Sequence, residues 1–403
     1  MSQRAQLTNL VPFWICLLCL LPAAPGEAQL TKGKAGVDPA GQIEAILAAF
    51  HERAGFPGAT IGYVLPDRTA GSVSVGVAFK KTGRAMTGDD RMMAGSTGKT
   101  FFAALALQLV DEDVLALDEK ISTWLGDEEW FERLPNARDI TLRMLLNHTS
   151  GIPRYVMLED FVEAMIENPN RRWEPAELLA FVFDHEPLFT VGEGWSYADT
   201  NFIVLGAIIE KVTGDSCYNQ IYRRILRPHG LWDIVPTTSR DVLGLAGGYI
   251  DPDGNLFQLE EENVVKGGRF VFNPQFEWGG GGFASTPGEL ARWAKLLYAG
   301  DVLSAKMRKE MRNSVEAQLG PGSRYGLGMM ERPSEVGTVI GHGGYFPGYL
   351  TNMSYYVEHD LALAIQINTT KMSEALNYAA MMEALDKCAA TLVHGSKPAD
   401  ADE

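Results

Sequence analysis

An α+β class is predicted for this 403-residue chain by three observations. Strand-like stretches lie towards both ends of the chain, helical periodicity broken by Pro and Gly fills the middle, and amphipathic helices flank the strands. The order predicts a strand-and-helix domain built from 29–118 and 270–394, with a mostly helical insertion at 119–269. A cleft between two such parts is a natural place for a site.

From 42 to 54 the residues Ile43, Ile46, Leu47, Phe50 and Ala54 recur at helical spacing, and Gly-Phe-Pro-Gly at 55–58 closes that helix. Strands follow at 59–65 and 71–79, with the turn residues Pro66 and Asp67 between them. A helix is expected from 96 to about 110, and further helical segments at 175–183, 201–212 and 216–226. The glycines at 279–282 mark a turn or a close backbone approach. Thr286-Pro287-Gly288-Glu289 starts a helix: Thr286 caps, Pro287 suits the first position and Glu289 can reach back to the cap. Strands return at 325–330, 338–341, 350–357 and 361–368, a last helix spans about 373–393, and 395–403 form a polar tail.

Acidic side chains outnumber basic ones by 51 to 35, the net charge is −16, and no basic tract exists, so nucleic acid and anionic lipid are excluded as general partners. A small molecule or peptide is the expected partner, and oligomeric state is not legible. Residues 1–28 carry Arg4, an apolar run at 10–21 and then Gly26-Glu27-Ala28, the pattern of a cleaved secretory signal peptide. A periplasmic or secreted location follows as an expectation, with an uncleaved membrane anchor as the alternative. Cys16 and Cys19 fall inside this segment, while Cys217 and Cys388 either pair or stand as buried thiols. Metal-ligand spacings of the Cys-x-x-Cys or His-Glu-x-x-His kind do not occur, so metal binding by Cys217 and Cys388 is not expected.

Three short segments could carry chemistry. In Ser96-Thr97-Gly98-Lys99, three-residue spacing on a helix sets Lys99 beside the Ser96 hydroxyl. A buried lysine of lowered pKa could then act as base towards a serine held near a helix start. A capped, solvated helix start is the structural alternative. A phosphate-binding loop is excluded, since its first glycine would fall at Met93; a degenerate nucleophile elbow at 94–98 stays open, because His342 follows in the order it needs. In the second segment, 195–201, a Tyr197 phenol of depressed pKa could relay a proton, and Asp199 and Asn201 could orient a substrate amide or Lys99. The alternative is a helix capped by Asp199 with Tyr197 packed. In the third, 341–348, glycines flank His342 on a strand, so something approaches the backbone closely. An exposed edge there could bind a peptide-like substrate and complete an oxyanion hole, whereas a lone histidine is more often structural.

Taken in order, Ser96-x-x-Lys99, Tyr197-x-Asp199 and His342-x-Gly344 resemble the penicillin-recognising serine hydrolases. The branch most similar holds class C β-lactamases, D-alanyl-D-alanine carboxypeptidases, D-aminopeptidases and related carboxylesterases. Residues 145–153, 325–328 and the Gly-rich turn before Ser285-Thr286 agree, so the resemblance runs from about 40 to about 392. It implies a mainly antiparallel sheet flanked by helices plus an all-helical domain, without metal or cofactor. It also implies Ser96 as the acylated nucleophile, Lys99 as its base, Tyr197 as proton shuttle, and the N–H groups of Ser96 and Tyr345 as oxyanion hole. His342 would position a substrate carboxylate or assist Tyr197. Two departures from the family pattern are Asp199 for Asn and His342 for Lys, which weaken binding of an anionic lactam unless Asp199 pairs with Lys99. They favour a peptidase, amidase or esterase over an efficient β-lactamase, and a D-alanyl peptidase or D-amino-acid amidase is the expected activity. A carboxylesterase or weak β-lactamase with the same site is the alternative, as is a non-catalytic penicillin-binding sensor or scaffold, to which Asp199 alone points.

Overall fold

Two strands of alternating side-chain size set the centre of the molecule. Strand β1 (Gly58–Val64) pairs antiparallel with β9 (Leu361–Ile367), Ile61 opposite Ile365 and Tyr63 opposite Leu363. Large residues occupy one face, and Thr60, Gly62, Ala362 and Ala364 the other. The computed structural model describes residues 38–395 apart from 254, 256, 260 and 261. The expected signal segment, 1–28, lies outside the described residues.

The complete sheet has nine strands in the order β3-β2-β1-β9-β8-β7-β6-β5-β4, antiparallel throughout. Its remaining members are β2 (Ala70–Phe79), β3 (Arg84–Ala85), β4 (Val315–Glu316), β5 (Arg324–Tyr325), β6 (Met330–Ser334), β7 (Gly337–Phe346) and β8 (Tyr349–Tyr356). Against the large-residue face lie α1 (Pro39–Ala54), through Ile43, Leu47 and Phe50, and α5 (Tyr378–His394), through Met381, Leu385 and Cys388. Each fully buried Ile, Leu or Phe contributes about 1.5–3 kcal/mol of transfer free energy. The small-residue face admits α4 (Pro287–Tyr298) so closely that a Cβ on Gly62 would stand 2.2 Å from the Pro287 carbonyl oxygen. Thr286 caps α4 by accepting from the Glu289 N–H, as the sequence predicts. The Glu289 carboxylate does not reach back to the cap; it accepts from the Asp233 N–H at 2.7 Å and pairs with Arg292.

Against α4, where Phe101 stacks on Trp293, lies α2 (Lys99–Asp111), buried on nearly every side from Lys99 to Leu107. The helix expected from 96 begins instead as a tight 3₁₀ turn, Gly95–Gly98, that passes into α2. Between 119 and 269 the longest helix is α3 (Asp199–Thr213), and shorter ones include Glu159–Glu167 and Pro175–Ala180. Among the described residues no helix falls between 231 and 264, although a mostly helical insertion is the sequence expectation. The stretch expected as one strand at 325–330 divides into β5 and β6, with Gly328 in the left-handed region at φ 75° between them. Cys217 and Cys388 are free thiols buried in two different clusters, so the pairing alternative is not realised. Among the described residues, no helix is long and apolar enough to cross a membrane.

Candidate active site

Ser96 sits where three backbone segments converge, and glycines make the approach possible. Gly95 has φ 52°, and a Cβ there would lie 2.6 Å from the Tyr345 carbonyl oxygen and 2.8 Å from the Tyr345 nitrogen. A Cβ on Gly344 would come within 2.0 Å of the Ala94 oxygen, and one on Gly98 within 1.6 Å of the Gly281 oxygen. The Ser96 turn is thereby pressed between β7 and the Gly-rich segment at 279–282. Because β6 pairs with β7 only from Gly337 to Gly341, residues 342–346 keep one free edge beside it.

Lys99 uses every N–H of its ammonium. Its Nζ donates to Ser96 Oγ at 3.1 Å, to Asp199 Oδ1 at 2.5 Å and to the Gly280 carbonyl. Burial alone would lower its pKa, but the Asp199 carboxylate and then the Tyr197 phenol outweigh burial and hold it above the ordinary lysine value. The lowered lysine pKa expected from burial is therefore overturned by its partner. Burial would likewise raise Asp199, yet Lys99 and Arg154 together keep it well below the usual carboxylate range. Arg154 Nε donates to Asp199 Oδ2 at 2.6 Å. Asp199 thus bridges two cations, and the pairing that relieves its departure from Asn is present.

The Tyr197 hydroxyl is buried and, among the described residues, has no hydrogen-bond partner of good geometry, while Lys99 and Ser96 are near enough to favour its anion. Lys99 Nζ lies 4.9 Å from the Tyr197 ring centroid. Burial dominates and the phenol pKa is raised, so the depressed value expected for a relay is not the resting condition.

Asn201 does not face this cluster. Its Nδ2 meets His148 Nδ1 at 3.0 Å and its Oδ1 accepts from Ser150 Oγ at 2.6 Å, which fastens the 147–151 loop to α3. Its expected role in orienting substrate or Lys99 is replaced by a structural one. His342 also departs from expectation. Its Nδ1 lies 2.5 Å from the Gly343 carbonyl, which fixes the proton there and leaves Nε2 to accept from the Tyr325 hydroxyl at 2.9 Å. Burial, followed by the Lys99 charge, lowers its pKa to about 3, so the ring is neutral and offers no charge to position a carboxylate, the first of its two expected roles.

Two residues missed in the sequence complete the site. Arg154 follows immediately on the 145–153 segment, and the Thr200 hydroxyl holds it in place by donating to the Pro153 carbonyl at 2.7 Å and accepting from the Tyr155 N–H at 3.0 Å. Glu277 precedes the glycine run whose backbone approaches Ser96, and that run was the signal available for it. Both line a pocket of about 320 Å³ with Ser96, Asp199 and Tyr345, walled by Met157, Phe257, Phe276, Phe346 and Tyr378. A larger hollow of about 620 Å³, bordered by Arg68, Lys295 and Asp360, contains none of these groups and is not the candidate site.

The chain resembles Penicillin-binding protein 4* of Bacillus subtilis, 26% identical over 75% of this chain and 66% of that protein, so it spans just under two thirds of that relative. In three dimensions it resembles a D-stereospecific amidohydrolase from Streptomyces sp. (28% identity, TM-score 0.73, covering 89% of this chain and 98% of that one). It also resembles a D-amino acid amidase from Ochrobactrum anthropi SV3 complexed with L-phenylalanine amide (25% identity, TM-score 0.76, covering 89% and 99%). The family model described as Beta-lactamase matches residues 43–386, which carry the sheet, the Ser96 turn and the Tyr197-x-Asp199 loop, and the chain belongs to that family.

Proposed function

We propose that this protein is a serine hydrolase that transfers the acyl group of a D-amino-acid amide or short D-peptide to Ser96 and then to water. The observation that carries the reading is the hydrogen bond from Lys99 Nζ to Ser96 Oγ at 3.1 Å, at the mouth of a pocket large enough for one amino-acid residue. Ser96 Oγ gives its proton to the Lys99–Tyr197 pair as it attacks the substrate carbonyl carbon, and the oxyanion lies between the N–H groups of Ser96 and Tyr345. Collapse breaks the bond to the leaving nitrogen, which takes its proton through Tyr197, and water attacks the resulting ester by the reverse path. Lys99 rests as an ammonium that donates to Ser96. The reacting form therefore carries one proton fewer on the Lys99–Tyr197 pair, and acylation quickens with rising pH.

Hydrolysis of D- and L-phenylalanine amide, a short-chain ester and a penicillin, by wild type and by Ser96→Ala, tests this. The D-amide is expected to be cleaved faster than its enantiomer, and Ser96→Ala to lose about a thousandfold or more. Equal rates for wild type and Ser96→Ala would refute the reading. A carboxylesterase is the second reading, favoured by the aromatic walls and by the neutral His342, and a kcat/KM for the ester far above that for the D-amide would select it.

A further inference from the structure

One acid in the pocket takes no part in the steps above. Glu277 is 8% exposed, and its Oε2 accepts a single hydrogen bond, from the Gly282 N–H at 3.1 Å. Among the described residues nothing donates to Oε1, which lies so close to Gly281 that a Cβ there would stand 2.1 Å from it. The charged and titratable groups around it are Lys99 of α2, Asp199 of α3, Arg154, Tyr155 and Tyr218. Lys99 and Arg154 share the single Asp199 carboxylate, so the three groups together keep one positive charge, but among the described residues neither cation forms an ion pair with Glu277. Burial accordingly pushes this carboxyl up to about 8, Lys99 opposing the rise and Asp199 adding to it, and the group is a neutral acid at pH 7. The backbone just after it is strained, with Trp278 at φ 34° and ψ −115°.

A buried carboxyl that lines a pocket and has one oxygen without a hydrogen bond is an unfavourable arrangement that a ligand with positive charge and N–H donors would relieve. A substrate ammonium has both. We propose that Glu277 binds the free ammonium group of the substrate and selects amino-acid amides whose amine is unblocked. The inference deepens the acyl-transfer reading and rests on it for the placing of the scissile carbonyl at Ser96. On binding, the carboxyl proton leaves for solvent and a carboxylate–ammonium pair forms, so charge balances. Phe257, Phe276, Phe346 and Tyr378 then receive the apolar side chain of the same residue.

The test is calorimetric binding to the Ser96→Ala protein, which cannot acylate, at about pH 6.5, where the ligand amine is protonated. D-phenylalanine amide is compared with 3-phenylpropanamide, which lacks only the amine. The amine-bearing ligand is expected to bind about tenfold tighter or more, and to release about one proton, read from the dependence of the heat on buffer ionisation. In Ser96→Ala/Glu277→Gln both features should vanish while affinity for 3-phenylpropanamide stays unchanged, which also shows that the pocket is intact. Equal affinities, no binding of either ligand, a preference that survives Glu277→Gln, or an equal loss for both ligands would each overturn the proposal. Failure of the acyl-transfer reading is seen separately, as turnover that survives Ser96→Ala.

Discussion

The residue that most alters the chemistry of this site is Asp199. It binds Lys99 and Arg154 at once, so it turns a buried lysine into a fixed ammonium and leaves Ser96 facing a donor. Its depressed pKa contributes stability above the unfolded value of about 3.8, lost as pH falls through the lower folded value. Lys99, raised above 10.5, contributes below that value and loses the contribution as pH climbs through the folded one. Between those limits the pair is intact. Asp199→Asn is expected to cost about 3 kcal/mol in urea denaturation at neutral pH, the low end for a broken buried pair, because an acceptor for Lys99 remains. The same substitution should move the alkaline rise of the acylation rate to lower pH, since Lys99 loses the anion that holds its proton. A profile that stays in place would show that Lys99 is not the titrating base. The sequence displayed Ser96, Lys99, Tyr197 and Asp199 through their spacing. Arg154 and the inward turn of Asn201 were illegible, because both depend on where the 147–154 loop folds over α3.

At the scale of elements, β7 is the part that spacing alone described least well. Its glycines suggested a close approach, and the Ser96 turn approaches at Gly344 but not at Gly343, while Gly341 is packed against β8. A Cβ on Gly344 would meet the Ala94 oxygen at 2.0 Å, while one on Gly343 finds nothing nearer than the Tyr378 ring at 3.6 Å. Gly344→Ala is therefore expected to cost about 1–3 kcal/mol and to remove most activity, as the Ser96 turn is pushed off the strand. Gly343→Ala should stay within about 0.5 kcal/mol of wild type with activity retained. Thermal unfolding and initial rates on the two variants check the contrast, and similar losses in both would show that the glycines serve backbone freedom in general. Strands β1, β2 and β9 were legible to within a residue, whereas the two-residue β3 and β4 were not, and β7 runs on to Phe346 beyond the expected 338–341. The split of β5 from β6 was not legible, because the turn at Gly328 is set by contact with Ala103 of α2, where a Cβ on that glycine would come to 2.4 Å.

For the whole molecule, strands from both ends of the described chain meet in one antiparallel sheet, and the 3₁₀ turn that leads into α2 presses Ser96 between β7 and the glycine run. Strands at both ends announced that closure. Among the described residues from 231 to 264 there is no helix and little periodicity to read, and so the middle of the chain was expected to be more helical than it is. Everything in the architecture converges on one oxygen, Ser96 Oγ, and the account stands or falls on whether it becomes acylated. The most direct measurement is the intact mass of wild type and Ser96→Ala after brief mixing with a penicillin and with an activated ester of D-phenylalanine. The account expects an acyl adduct on wild type, mapped to the peptide containing Ser96 and absent from Ser96→Ala. An adduct that persists in Ser96→Ala, or hydrolysis at the wild-type rate without that serine, would contradict it.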